Sequence, residues 1–230
     1  MRARVRRLLF HVLGNVLIGV AIGLVGYNAA TAGVTALEQS RLRQELKRFQ
    51  QAVPGAVEST STPGGLPDVP RLDFEGWESE DGAYWAGLAA GSVFGRIVAP
   101  AMSLDSVIVK GVVTRDLRNG PGWAPSTDLP FRTGNVGISG HRTTYGAPFR
   151  RLDRLSKGDT IDMFSPYRRY RYVVERQLIV TPDKVEVFSS TEEPTLTLTA
   201  CHPPFSARYR IVVQARLIDV RRVSDIPSEE

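Results

Sequence analysis

The stretch TLTLTACHPPFSARYRIVV, residues 195–213, alternates polar and apolar side chains, turns at two prolines and continues into a second apolar run. Successive side chains of a β-strand point to opposite faces of a sheet. One face of the first run carries Leu196, Leu198 and Ala200. The other face carries Thr195, Thr197, Thr199 and Cys201. The pattern predicts a strand whose leucines face the core and whose polar face holds the thiol of Cys201, the only cysteine of the chain.

The two runs read as a β-hairpin, and its register predicts the neighbour of Cys201. A symmetric turn around HPPFSA, residues 202–207, pairs Cys201 with Arg210. Directly opposed residues of antiparallel strands have Cβ atoms about 4.5–5.5 Å apart. A nearby cation favours the thiolate, and a guanidinium can donate to a developing oxyanion. A free cysteine is more often a small buried hydrophobe, so periodicity alone leaves both roles for Cys201 open.

A cysteine nucleophile usually needs an acid/base partner, and the chain has three histidines. His11 lies in a long apolar run, and His202 is adjacent to Cys201, so on a strand its side chain points to the opposite face. His141 ends the strand-like run NVGISG and starts a loop, a position where functional residues concentrate on β scaffolds. His141 is therefore the candidate partner, with a turn histidine bonded to backbone as the alternative.

The remainder of the second half also reads as short β-rich runs, which Gly, Pro, Asn and Asp separate. These runs lie at 96–112, 134–140, 158–164, 169–180, 195–200 and 210–220. Only PFRRLDRL, residues 148–155, reads as helical between them. Such spacing is typical of an all-β barrel or sandwich, and we expect one such domain here.

The N-terminal part has a different character. Arg2, Arg4, Arg6 and Arg7 precede LLFHVLGNVLIGVAIGLVGY, residues 8–27, whose length matches a bilayer core of about 30 Å. Arginines before the run and none just after it place the N-terminus inside. A cleaved signal peptide is the alternative, although the run is longer than a usual signal core. The formal charge of +5 lies mostly in this arm, so we expect no nucleic-acid surface.

Two further segments separate this apolar run from the barrel. Residues 36–53 have Leu37, Leu42, Leu46, Phe49 and Val53 roughly on one helical face. We expect an amphipathic helix, and three roles stay open: lying on the lipid surface, pairing with a second copy, or acting as a solvated spacer. Residues 54–70 are rich in Pro, Gly, Ser and Thr, a composition typical of a flexible tether.

Two blocks, GNVGISGHRTTYGAPFRRLDRL (134–155) and TLTACHPPFSARYRIVV (197–213), resemble the signature blocks of the sortases. The phrase HRTTYGAPF and the upstream LRNGPGWAPSTDLP are similar to class E, the housekeeping-type sortases of high-GC Gram-positive bacteria. The resemblance covers roughly Phe94 to Val220. It implies an all-β fold, an eight-stranded β-barrel with short helices, preceded here by the transmembrane helix.

The resemblance also implies roles for individual residues. Cys201 becomes the nucleophile, His141 the general acid/base, and Arg210 the group that binds the oxyanion and the substrate. Thr199, Ala200 and Tyr145 become substrate contacts, and neither a metal nor a cofactor is expected. The family usually has threonine directly before the cysteine, where this chain has Ala200; this departure bears on the substrate motif rather than on the nucleophile.

The implied function is a membrane-anchored cysteine transpeptidase. Its substrates would be secreted proteins with a C-terminal LAxTG- or LPxTG-like sorting signal, and its acceptor the amine of a lipid-linked peptidoglycan precursor. A pilin-polymerising sortase and a non-catalytic, membrane-tethered domain that binds peptide or cell wall are the alternatives. The expected division is a cytoplasmic arm (1–7), an anchor (8–27), a juxtamembrane helix and flexible linker (28–93), an extracytoplasmic catalytic barrel (94–221) and a tail (222–230).

Overall fold

The computed structural model describes residues 2–52 and 71–226, with side chains described from residue 10 onward. Its centre is a closed barrel of eight strands: β1 (Val93–Ala99), β2 (Leu104–Lys110), β3 (Gly122–Trp123), β4 (Asn135–Ser139), β5 (Thr160–Phe164), β6 (Arg168–Val180), β7 (Thr195–His202) and β8 (Tyr209–Arg222). Around the barrel the order is β1-β2-β3-β4-β7-β8-β6-β5. The predicted eight-stranded all-β barrel is therefore confirmed.

The helices are α1 (Arg2–Ala52), α2 (Ala83–Ala86) and α3 (Thr114–Leu117). A π-helical turn covers Glu78–Gly82, and 3-10 turns cover Pro100–Met102, Leu152–Arg154, Val185–Phe188 and Val223–Asp225. The segment predicted to be helical at 148–155 contains only the single 3-10 turn Leu152–Arg154. The two-residue strand β3 carries too few residues for a period-2 pattern, which explains why the sequence did not indicate it.

Strand β7 shows the predicted alternation, but both of its faces are covered. Leu196 and Leu198 are fully buried in the barrel core. On the outer face Thr197 is also fully buried, because the 3-10 turn Val185–Phe188 lies over it. The carbonyl of Val187 accepts hydrogen bonds from Asn135 Nδ2 at 2.9 Å and Thr197 Oγ1 at 3.3 Å. The polar face of β7 thus lies outside the core, but only part of its length is exposed to solvent.

The region just before β1 packs on the barrel instead of forming a linker up to residue 93. Phe74, Trp77 and Trp85 are buried in the main core. Arg168 of β6, itself fully buried, donates through Nη1 to Asp81 Oδ2 at 2.6 Å. The expected flexible linker therefore does not extend over 71–92, because these apolar rings bury their surface against the barrel end. The tether predicted at 54–70 lies outside the described residues.

Helix α1 is continuous from Arg2 to Ala52. Within the described residues it is the one helix long and apolar enough to cross a membrane, and it passes that test by length and composition. Its distal half packs on the barrel, where Leu46 and Leu42 contact Val93 and Val107. None of the three roles considered for residues 36–53 included this contact. On the predicted apolar face Leu37 is exposed, and Val53 lies outside the described residues.

Polar contacts fix this docking. The side-chain amide of Gln39 donates to the carbonyls of Val107 at 3.0 Å and Asn119 at 2.7 Å. Its oxygen accepts from the Val107 N–H at 2.8 Å and from Ser106 Oγ at 3.0 Å. One glutamine thus satisfies backbone groups of β2 that would otherwise lack partners beside the helix. The helix that carries the apolar run is therefore joined to the barrel by specific hydrogen bonds.

Candidate active site

Three neighbouring strands bring the candidate residues into one row. Strand β4 runs parallel to β7, with Ser139 paired with Thr199. His141 and Cys201 each lie two residues beyond this pair, at the same end of adjacent strands. On the other side of β7, Cys201 pairs directly with Arg210 of β8. The predicted hairpin register is confirmed, and the row reads His141, Cys201, Arg210 across the barrel wall.

Cys201 is a free, half-buried cysteine near the end of β7. Its strand neighbours on the same face, Thr197 and Thr199, are buried. Going along this face from Thr197 toward the hairpin, the thiol is therefore the first group that is partly exposed, because the 3-10 turn no longer covers the strand there. This position fits a nucleophile better than a core cysteine, since the apolar interior lies on the opposite face, with Leu198 and Ala200.

The backbone of His141 is held from two sides. The N–H of Gly140 donates to the carbonyl of Thr199 at 3.0 Å, which extends the parallel ladder by one residue. The N–H of Phe149 donates to the carbonyl of His141 at 3.1 Å. A Cβ added at Gly140 would lie 2.7 Å from the Phe149 ring, so glycine is required where this buried ring crosses the chain. The loop after β4 is thereby closed back onto His141.

The imidazole of His141 is free of hydrogen bonds to the described part of the chain, and its Nε2 is buried. The alternative of a turn histidine bonded to backbone therefore finds no support in the structure. The Tyr145 ring lies against the imidazole, with 5.1 Å between the ring centroids. A buried nitrogen without a partner is costly, and such an atom is available to exchange a proton with a bound substrate.

Burial lowers the pKa of His141, and the positive charge of Arg118 lowers this pKa further. The unperturbed pKa of histidine is about 6.5, so the folded protein holds His141 neutral at neutral pH. Between the lowered pKa and about pH 6.5 the unfolded chain binds this proton more readily than the folded chain. Acidification through that window therefore destabilises the folded state at this residue, and its imidazolium, when formed, gives up its proton readily.

We expect Arg118→Ala to raise the pKa of His141, because the substitution removes the repulsive charge, while burial keeps the value below 6.5. The measurement is a pH titration of the imidazole signals by nuclear magnetic resonance. Arg115→Ala, on the short helix α3 that ends directly before Arg118, changes a side chain that is 81% exposed; it is the matched control and should leave the pKa of His141 unchanged. Equal shifts in the two variants would show that the local charge of Arg118 does not act on His141.

Arg210 is half-buried, and its guanidinium bends toward the hairpin turn. Nη1 donates to the carbonyls of Ala207 at 3.0 Å and Tyr209 at 3.1 Å. The guanidinium makes no other hydrogen bond to the described residues, so its remaining N–H groups are available to a ligand. Arg208, the other arginine of this turn, is exposed and lies over the Tyr209 ring at 5.3 Å. The two arginines therefore occupy distinct environments.

His202 is engaged elsewhere. Its Nδ1 lies 3.2 Å from Nη1 of Arg142, which is buried and bridges to Asp153 through Nη2 at 2.9 Å. Arginine can only donate, so His202 Nδ1 is the acceptor of this bond. Arg142 was not among the residues that the sequence indicated, and its only signal was its position directly after His141. The Arg142 contact joins the loop after β4 to the β7–β8 hairpin.

The three residues expected to contact substrate lie in three different surroundings. Thr199 lies on the same face of β7 as Cys201 and is almost fully buried. Tyr145 lies beside His141 and has a left-handed backbone conformation, with φ at 51°. Ala200 belongs to the barrel core and pairs with Ile211. Strand alternation turns Ala200 away from the thiol, and its expected contact with substrate stays a prediction.

The chain matches a protein-family model described as the sortase domain over residues 97–218. Among curated proteins it is 30% identical over 134 residues to Sortase SrtE1 of Streptomyces coelicolor, covering 54% of this chain and 37% of that protein. It is 31% identical over 114 residues to Sortase D of Bacillus subtilis, covering 49% of this chain and 56% of that protein. The matches thus span about a third to a half of these relatives.

Solved structures agree with the sequence comparisons. Sortase E1 of Streptomyces coelicolor, crystallised with a tripeptide in its active site, superposes with a TM-score of 0.56 at 26% identity, covering 60% of this chain and 96% of that one. Sortase D5 of Clostridium perfringens superposes with a TM-score of 0.61 at 22% identity, covering 79% and 98%. The second comparison bears on the fold alone. Both quoted signature blocks lie within the residues that the family model matches.

Proposed function

This chain belongs to the sortase family, and on that premise we propose that it is a membrane-anchored cysteine transpeptidase. It cleaves an LAxTG- or LPxTG-like C-terminal sorting signal between threonine and glycine and transfers the protein to an amine of a cell-wall precursor. The observation that carries the proposal is the row of His141, Cys201 and Arg210 on β4, β7 and β8. A non-catalytic binding domain would not need a thiol, a partner-free imidazole and a guanidinium in one row.

The proposed chemistry assigns one task to each residue. The Cys201 thiolate attacks the threonine carbonyl carbon, and the negative charge that develops on the oxygen is stabilised by Arg210. His141, which takes up the proton that leaves the Cys201 thiol, gives this proton to the leaving glycine amine as the C–N bond breaks. A thioester between Cys201 and the threonine remains. Neutral His141 then accepts a proton from the incoming amine, which forms the new amide bond and releases the thiolate.

The lowered pKa of His141 suits both halves of this cycle. An imidazolium that burial disfavours transfers its proton readily to the leaving amine. After that transfer the neutral form is the stable one, and it is the form needed as the base for aminolysis. Arg118, the second cause of the lowered pKa, thus supports catalysis without touching the reacting atoms.

The direct test is peptide transpeptidation by the full chain in detergent or nanodiscs. An LAxTG or LPxTG peptide is mixed with hydroxylamine, and mass spectrometry looks for a hydroxamate on the threonine and a released glycine fragment. Cys201→Ala should abolish both products. Absence of product from a folded protein whose Cys201 still reacts with iodoacetamide would contradict the proposal and favour a binding domain.

We further propose that the N-terminus lies inside the cell and the barrel outside. The four arginines before the apolar run support this orientation. Both the exported substrate and a lipid-linked acceptor would then meet the enzyme at the outer membrane surface at raised effective concentration. Because Cys201 is the only cysteine, a membrane-impermeant maleimide should label the protein in intact cells treated to permeabilise the wall. Labelling that requires membrane lysis would reverse the orientation.

A further inference from the structure

One side chain of helix α1, that of Thr35, lies between two segments that reach His141. Thr35 is buried, with an exposed fraction of 5%, and its hydroxyl donates to the carbonyl of Arg118 at 2.9 Å. The same hydroxyl lies 3.0 Å from the carbonyl of Thr31 within the helix. A Cβ added at Gly146 would lie 3.3 Å from the Thr35 methyl group. Thr35 therefore contacts both the turn after α3 and the loop that follows His141.

Gln39, one helical turn further along α1, holds the same turn after α3. Its side-chain amide donates to the carbonyl of Asn119 at 2.7 Å. A Cβ added at Gly120 would overlap this amide nitrogen and would lie 2.8 Å from the carbonyl oxygen of Val107. Glycine is therefore required where the helix and the turn approach each other. Since side chains four residues apart lie on one face of a helix, one face of α1 fixes residues 118–120.

The two segments that α1 contacts also meet at the ring of His141. The centroid of the Tyr145 ring, directly before Gly146, lies 5.1 Å from that of the imidazole. The Arg118 guanidinium lies over the Tyr145 ring, 5.5 Å from its centroid, and such a cation is attracted by the aromatic face. The positive charge of Arg118 also lowers the pKa of His141. A continuous set of contacts thus joins α1 to the imidazole.

A third contact links α1 to the same aromatic ring. The hydroxyl of Tyr27 lies 3.3 Å from the hydroxyl of Tyr145. Tyr27 and Gln39 are about 18 Å apart along the axis of one helix, and this helix has no break between them. The surroundings of the imidazole are therefore fixed relative to the helix that carries the apolar run.

We propose that α1 belongs to the catalytic apparatus through two positioning residues, Thr35 and Gln39. They keep Arg118 and Tyr145 packed beside the ring of His141, and they touch none of the reacting atoms. The inference rests on the proposed function only for the acid/base role of His141, since the contacts themselves do not depend on a substrate.

Strand pairing and α1 make separate contributions to the site. The row of His141, Cys201 and Arg210 follows from the pairing of β4, β7 and β8, and loss of the α1 contacts leaves that row in place. What α1 adds is the position of a charge and of an aromatic ring beside the imidazole. A variant that loosens α1 should therefore remain folded and keep the thiol, while His141 becomes a poorer proton carrier.

The first test is a pH titration of the His141 imidazole by nuclear magnetic resonance, with the full chain in nanodiscs. Within the described residues, the titratable and charged groups around this imidazole are Arg118 after α3, Tyr145 in its own loop, Tyr27 of α1 beyond Tyr145, and Cys201 and Arg210 in the row of strands. Thr35→Val keeps the branched shape but removes the hydroxyl, so Arg118 moves away and the pKa of His141 should rise. Thr35→Ser keeps the hydroxyl and should retain the wild-type pKa.

A double variant tests whether Thr35 acts through Arg118. In Thr35→Val/Arg118→Ala the pKa of His141 should equal that of Arg118→Ala alone, because the charge that Thr35 positions is already absent. Thr31→Val is the matched control, since the Thr31 hydroxyl donates only to the carbonyl of Asn28 in its own helix. It should leave the His141 signals and their pKa unchanged.

Activity gives the second test. For peptide transfer to hydroxylamine, kcat/KM of Thr35→Val/Gln39→Ala should fall about tenfold, because a small displacement of catalytic groups is costly. Thr31→Val and Thr35→Ser should stay within about twofold of wild type. Circular dichroism and thermal melts show whether each variant is folded.

Three outcomes would overturn the inference: unchanged His141 signals in folded Thr35→Val, equal pKa shifts in Thr31→Val and Thr35→Val, or the same loss in Thr35→Ser as in Thr35→Val. If wild type fails to transfer the peptide to hydroxylamine, the proposed function is contradicted. The titration does not require turnover, so in that case it still decides whether α1 positions the groups beside His141.

Discussion

His141→Ala should lose nearly all transpeptidation, whereas His202→Ala should keep a measurable fraction. General acid/base groups typically contribute about 10²–10⁴-fold in rate, and His141 is the histidine whose ring has no hydrogen bond to the described residues. His202 is instead committed to the buried Arg142. Its removal deprives Arg142 of an acceptor, which disturbs the loop after His141 without removing the proton carrier.

The measurement is peptide cleavage by the purified full-length variants, with folding checked by circular dichroism. His11→Ala, in the apolar run and remote from the barrel, is the control and should match wild type. If His141→Ala and His202→Ala lose activity equally while both remain folded, the assignment of the acid/base role to His141 by its free ring is wrong. In that case the contact between His202 and Arg142 would have to take part in catalysis.

Arg210→Ala should lower kcat/KM by about 10²–10³-fold, or about 2.7–4 kcal/mol, the usual effect of losing one oxyanion donor. Arg210 pairs directly with Cys201 and has N–H groups left for a ligand. The kcat/KM of Arg210→Lys should lie between the values of wild type and of the alanine variant, because lysine keeps the charge but lacks the planar guanidinium fork. Arg208→Ala should lose about tenfold or less, since that side chain is exposed over the Tyr209 ring.

Thermal melts must accompany these kinetics, because Arg210 also donates to the turn carbonyls of Ala207 and Tyr209. A loss of activity that follows a lowered melting temperature would assign Arg210 a structural role in the hairpin. The decisive contrary outcome is a crippled Arg208→Ala beside a nearly wild-type Arg210→Ala. Such a result would mean that the pairing of Cys201 with Arg210 does not define the oxyanion site.

The local sequence was sufficient to predict the β7–β8 hairpin and its register. The alternation of leucine with threonine sets which side chains of β7 face the core, because the backbone of a strand has a period of two. The symmetric turn then sets the register, and the structure shows the expected pair of Cys201 and Arg210. Both conclusions depend only on residues close together in the chain, where backbone geometry leaves few alternatives.

The position of His141 beside Cys201 required the tertiary structure. Sixty residues separate them, and they meet because β4 pairs in parallel with β7. A parallel pair needs a long crossover, and no local pattern records which strands it joins. The family resemblance implied that His141 acts together with Cys201. The pairing of β4 with β7 explains why the two residues lie side by side. The lowered pKa of His141 likewise arises from burial and from Arg118, which belongs to another segment.

The sequence by itself determined the elements whose causes are local: the β-rich runs, the hairpin register at Cys201 and the apolar run at 8–27. Only the tertiary structure decided the docking of α1 through Gln39, the packing of residues 71–92 and the burial of Thr197. The physical reason is that periodicity reports which face of an element is apolar, but not what covers it. Contacts such as those of Gln39 with Val107 depend on two distant surfaces meeting, and their free energy exists only in the folded chain.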